Sequence, residues 1–163
     1  MPNVVKKSGA QKAAEADVAA FREALGPFVT AAETTRMPMM FTDAKAPEHP
    51  IVFVNQAFLK LSGYDEHEIL GQSFDFLMER GTDPGMLAEI QTAFEGGRDL
   101  DPLVRYRRKD DVGAWLRIFI TPVRDRSGEI LQHFASFVDV TEHKEEEDRL
   151  RRLLGDLGLR ATD

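Results

Sequence analysis

Residues 51–77 read IVFVNQAFLKLSGYDEHEILGQSFDFL, and this stretch decides the fold because it switches from an extended to a helical pattern within a few residues. Ile51-Val52-Phe53-Val54 is a short run of β-branched and aromatic residues, the composition of a buried strand. Asn55 follows with a side chain suited to cap a helix, which then carries Phe58, Leu59 and Leu61 on one face and should stop at Gly63. Asp65 opens a second short helix through Ile69-Leu70 that ends at Gly71, and Phe74 to Leu77 reads as a single turn.

Upstream, Met39-Met40-Phe41-Thr42 is a second apolar strand, joined to the first by a Pro-containing loop over 43–50. Downstream, Asp83-Pro84 opens a longer helix with Leu87, Ile90, Gln91 and Phe94, ended by Gly96-Gly97. Three strands are predicted over 103–108, 114–124 and 129–140, with turns at Asp110-Asp111 and Arg126-Ser127-Gly128. Two strands, several short helices and three strands imply an α+β fold: a five-stranded antiparallel sheet with helices on one face. Residues 11–33 repeat apolar positions at helical spacing, including Phe21 and Leu25, with a break at Gly26-Pro27. Near the other end Leu150, Leu153, Leu154 and Leu157 share one face of a charged helix, either packed on its own sheet or paired with a second copy. The expected boundaries are a tail and amphipathic cap helix over 1–36, a core over 37–140 and a C-terminal helix over 141–163.

The 163 residues suffice for one domain, and a composition of 42% hydrophobic and 30% charged residues is that of a globular protein. No run approaches the roughly 18 apolar residues of a membrane span, and the N-terminus has no apolar segment of a secretory signal. A cytoplasmic protein without membrane contact is expected. The chain contains no cysteine, which removes disulfides, thiolate nucleophiles and cysteine metal sites. A net charge of -7 opposes phosphate backbones, so no nucleic-acid partner is expected. The one basic cluster, Arg105, Arg107, Arg108 and Lys109, reads as a solvated strand face. His49, His67, His133 and His143 are scattered, with no metal-ligand or haem spacing, and read as surface or packing residues. Asp43, Glu48, Glu66 and Glu68 read as surface carboxylates. With no motif pairing a nucleophile to a base, no enzyme is expected.

The opening stretch resembles the light-oxygen-voltage (LOV) subfamily of PAS domains, which runs V-N-x-A-F-x-x-L-S/T-G-Y-x-x-x-E-I/V-L-G. RGTDP, YRRKDD, ITPVRDRSG and FVDVTEHK follow in the family's order, so that the resemblance covers residues 37–144. It implies a PAS fold and points to a family that holds flavin mononucleotide (FMN). The family's loop motif G-x-N-C-R-F-L-Q here reads Gly71-Gln72-Ser73-Phe74-Asp75-Phe76-Leu77-Met78. By this resemblance Phe74 replaces the cysteine that bonds the excited flavin, and Ser73 the asparagine near the ribityl chain. Asp75 replaces a phosphate-binding arginine, and Met78 a glutamine. The second phosphate-binding arginine falls on Gln91, the two asparagines that bond the flavin edge fall on Tyr106 and Leu116, and the reporter glutamine of the last strand falls on Phe137. These eight positions are vestigial by this reading, and no cofactor is expected.

The residues and the resemblance together imply a non-enzymatic signalling or interaction module without flavin or photoadduct. It would act as a homodimer or with a partner such as a histidine kinase pathway component, through Phe21, Leu25, Leu150, Leu154 and Leu157 or the outer sheet face. Two alternatives differ in class: a sensor of a small apolar ligand among Phe53, Phe74, Met78, Leu116 and Phe137, and a cysteine-less flavin photoreceptor. A ligand-dependent rise in stability would mark the first, and the colour of the protein the second.

Overall fold

A computed structural model describes residues 28–158 of the chain. The strands are β1 Met39–Asp43, β2 Ile51–Val54, β3 Leu103–Arg107, β4 Gly113–Arg124 and β5 Ile130–Asp139. The helices are α1 Phe28–Thr34, α2 Gln56–Ser62, α3 Glu66–Ile69, α4 Phe74–Met78, α5 Pro84–Gly96 and α6 Thr141–Asp156. The predicted helix over 11–33, with Phe21 and Leu25, lies outside the described residues except for α1.

The strands form one antiparallel sheet in the order β2-β1-β5-β4-β3. The last three make the predicted meander, and β5 returns to the centre to pair with β1, Thr42 lying opposite His133 and Met40 opposite Ala135. Period-two alternation decides which side chains enter the core. Ala114, Leu116, Ile118 and Ile120 are buried, whereas Trp115, Arg117 and Phe119 turn to the other face. On β3 Val104 and Tyr106 point inward while Arg105 and Arg107 are exposed, as the reading of a solvated strand face requires for these two arginines. The inner face meets Phe58, Phe74, Ile90 and Phe94 from the helices.

Asn55 has no exposed surface, and its side chain does more than cap α2. Its Oδ1 accepts from the N–H groups of Phe58 and Met39 at 3.0 Å each. Its Nδ2 donates to the carbonyls of Ala32 at 3.0 Å and Met37 at 2.8 Å. One amide thus ties α1, the start of β1 and α2 together, with every strong donor and acceptor site used once. Gly63 ends α2 at φ 81°, a left-handed conformation that other residues rarely adopt.

One expectation is corrected. Glu68 is not a surface carboxylate: it is 7% exposed and both its oxygens accept from Lys109 Nζ at 2.8 Å, which removes Lys109 from the solvated strand face. Burial pushes the Glu68 carboxyl up, but hydrogen bonding to the Asp65 backbone and the Lys109 ammonium outweigh it and hold the group below its usual range. The pair pins α3 to the turn between β3 and β4. The two readings of α6 divide along its length: its first turn contacts β4 of its own sheet, while the leucine stripe further along is not covered by the sheet. None of its residues is buried, and Leu150, Leu153 and Leu157 are 57, 53 and 72% exposed.

Candidate functional site

The eight positions singled out by the resemblance divide into a buried set and a rim. Phe74 is the first residue of α4, where Ser73 Oγ caps the helix by accepting from the Phe76 N–H at 3.1 Å. Backbone pairing of Ile51 N–H with the Gln72 carbonyl at 2.8 Å draws this loop onto β2 and turns Phe74 inward. Its ring meets Phe94 edge-on at 5.3 Å. Phe137 enters from β5, has no exposed surface and packs its ring 4.9 Å from that of Phe58. Leu116 and Met78 are likewise without exposed surface, and Tyr106 is 1% exposed. Each of these five positions therefore belongs to the continuous core.

The polar chemistry of the set is sparse. Ser73 is committed to its cap, and Gln91 Nε2 donates along α5 to Glu95 at 3.2 Å. Asp75 is exposed and carries negative charge. The Tyr106 hydroxyl is buried with no hydrogen-bond partner among the described residues. Burial, and secondarily Tyr64, pushes its phenol far above the usual range, with Arg80 and Arg108 opposing only in part. It stays a neutral hydroxyl at any ordinary pH.

The junction between β5 and α6 forms the second part of the site. The Val140 N–H donates to the Trp115 carbonyl at 2.9 Å, and the Trp115 N–H donates to Thr141 Oγ1 at 2.9 Å. Thr141 in turn donates to Asp139 Oδ1 from both its N–H and its hydroxyl. The Arg105 guanidinium and the Lys144 ammonium each lie over the Trp115 ring, at 5.5 and 5.3 Å from its centroid. The first turn of α6 is held to β4 by these contacts, whereas Leu150 and Leu157 project into solvent and Leu154 is half-buried.

A third group was missed by sequence reasoning. His133 is 2% exposed on the inner face of β5, and its ring lies 5.7 Å from that of His49 in the loop between β1 and β2. The inward alternation of His133, Ala135 and Phe137 was available as a signal. Nothing local places His49 beside it. Among the described residues no three His, Cys, Asp or Glu are grouped to hold a metal ion.

Known proteins extend this picture. Residues 37–142 match the family described as PAS domain. A blue-light-activated histidine kinase of Rhizobium johnstonii is 39% identical over 137 residues, 84% of this chain and 38% of the kinase. One of Brucella ovis, with the same description, is 41% identical over 123 residues, 75% of this chain and 25% of the kinase. The chain thus spans well under half the length of these relatives. Among solved structures, an RNA-binding light-oxygen-voltage receptor superposes with a TM-score of 0.73 at 27% identity, over 95% of this chain and 42% of the receptor. A light-oxygen-voltage domain studied with a flavin analogue gives 0.66 at 30% identity, over 77% of this chain and 98% of its own.

Proposed function

The chain belongs to the PAS domain family, as one of its light-oxygen-voltage type, and from that premise we propose that it is a flavin-free signalling module. Its own side chains fill the space a cofactor would take. The observation that carries this reading is the packing of Phe74 and Phe137, 2 and 0% exposed, at the two positions aligned with the flavin's adduct and reporter residues.

The donor set does not fit FMN. A buried isoalloxazine needs partners for its carbonyls and ring nitrogens, and each one left unmade costs about 1–3 kcal/mol. Leu116, Met78 and Phe137 have no such groups, and Tyr106 alone offers a free hydroxyl among the buried five. Asp75 would repel a phosphate that the family meets with arginine. A native core also leaves few voids larger than a water molecule.

With the pocket filled, β5 is held in one position, and the β5–α6 junction sets the direction in which α6 leaves the sheet. Output then depends on what α6 meets: a second copy along Leu150, Leu154 and Leu157, or a component of a histidine kinase pathway, the setting in which its relatives work. The module itself catalyses nothing, and among the described residues no helix is long and apolar enough to cross a membrane.

Unfolding the purified chain with and without excess FMN tests the reading, because a ligand at a hundred times its Kd stabilises a native state by about 2.7 kcal/mol. An unchanged unfolding midpoint is expected. A rise with FMN concentration overturns the reading.

A further inference from the structure

We propose that His133 and His49 form an acid-sensitive clasp, which holds the 44–50 loop against the sheet while His133 is neutral and releases it when His133 takes up a proton. His133 lies opposite Thr42 in the β1–β5 ladder, so both side chains point into the core from neighbouring strands. Thr42 Oγ1 and His49 Nδ1 are buried without a hydrogen-bond partner among the described residues, and the ring nitrogens of His133 are buried with no well-formed hydrogen bond, only a weak polar contact to the Phe94 backbone. Phe94 stacks on His133 with centroids 4.6 Å apart and meets His49 edge-on at 5.5 Å, so one apolar ring from α5 closes over both imidazoles.

Such a site accepts a neutral imidazole and penalises a charged one. Burial first, and then the facing His49, lower the pKa of His133 to about 4, and Arg124 at the end of β4 acts in the same direction. The backbone of Phe94 opposes them only in part, and no carboxylate does. Asp75 on α4 attracts His49 instead and is itself repelled by Glu48. Linkage gives the sign: an unfolded or solvent-exposed imidazole takes its proton near the ordinary pKa of about 6.5. The clasped state is therefore favoured above that pH and loses its advantage progressively as pH falls from about 6.5 to about 4.

The loop is the element that can give way. Glu48 and His49 stand at φ 65° and 49°, left-handed conformations that non-glycine residues adopt at a cost. Besides the imidazole contact, the loop is tied to β5 and its preceding turn by the Ala44 N–H on the Leu131 carbonyl at 3.1 Å and by an exposed Lys45–Glu129 pair at 3.5 Å. Protonation in the closed state would place an unsolvated cation under Phe94. Swinging His49 outward lets water reach both rings without disturbing the ladder between β4 and β5.

The test is hydrogen exchange of the 42–51 segment in the full chain, corrected for intrinsic rates, from about pH 7 to about pH 4.5, with the emission of Trp115, the single tryptophan, recorded in parallel. Loop protection should fall by up to about tenfold per pH unit below the ordinary histidine range, while Trp115 at the far end of the sheet stays constant. His49→Gln, in the half-buried loop, and His133→Phe should each remove most of this pH dependence, and the first decides if the second fails to fold. An undiminished acid response in His49→Gln overturns the clasp. So does a loop that opens only together with a change at Trp115, the mark of acid unfolding of the whole domain.

Discussion

Phe137 sits where β5 crosses the helices, with its ring against Phe58 and no surface left in contact with solvent. Truncating a phenylalanine in such a place removes its transfer free energy and leaves a void, at a cost of about 3–5 kcal/mol. Phe137→Ala should lower the free energy of urea unfolding by that amount, whereas a change within about 0.5 kcal/mol is the mark of an exposed site. Phe74→Cys restores a thiol at the loop position without restoring any hydrogen-bond partner or phosphate contact. Its unfolding midpoint should therefore stay the same with and without FMN, and a midpoint that rises with FMN would show that the pocket can still open. Phe74 and Phe137 were legible because motif strings anchor their alignment and strand alternation gives the face. Glu68 was not, because a glutamate among acidic neighbours reads as solvated until Lys109, 41 residues away, is folded onto it.

The short elements declare their ends in local chemistry. Asn55, Ser73 and Asp83 each accept from the backbone N–H three residues on, Gly63 and Gly97 take left-handed conformations, and the predicted strands lie within about a residue of those found. α6 was harder, since an apolar stripe reports that something covers it and not what. Within α6, Lys144–Asp148 and Glu147–Arg151 are i,i+4 pairs, each worth about 0.3–0.5 kcal/mol to the helix. The exposed Leu150, Leu153 and Leu157 then remain for another surface. Deleting the chain after Val140 should leave a folded core, because no α6 residue is buried, and should weaken self-association in sedimentation by at least tenfold. A full chain that sediments as a monomer at high concentration, or a truncated one that associates equally well, contradicts a role for α6 between copies.

At the scale of the whole molecule, the first strand pair, the three-stranded meander and the helices on one face were legible from alternation and turn chemistry in residues 39–140, whereas the pairing of β5 with β1 that joins the two groups of strands was not; the family strings carry the alignment of the site. The His133–His49 contact was beyond reach, because it joins a strand to a loop residue 84 positions earlier through geometry that no spacing encodes. The central claim is that this light-oxygen-voltage fold has closed its own cofactor site with Phe74, Met78, Tyr106, Leu116 and Phe137. The most direct measurement is the visible absorption spectrum of the full chain produced with ample flavin, with mass spectrometry of whatever denaturation releases. The account predicts a colourless protein that releases no flavin and does not respond to blue light; a flavin band approaching one cofactor per chain would contradict it.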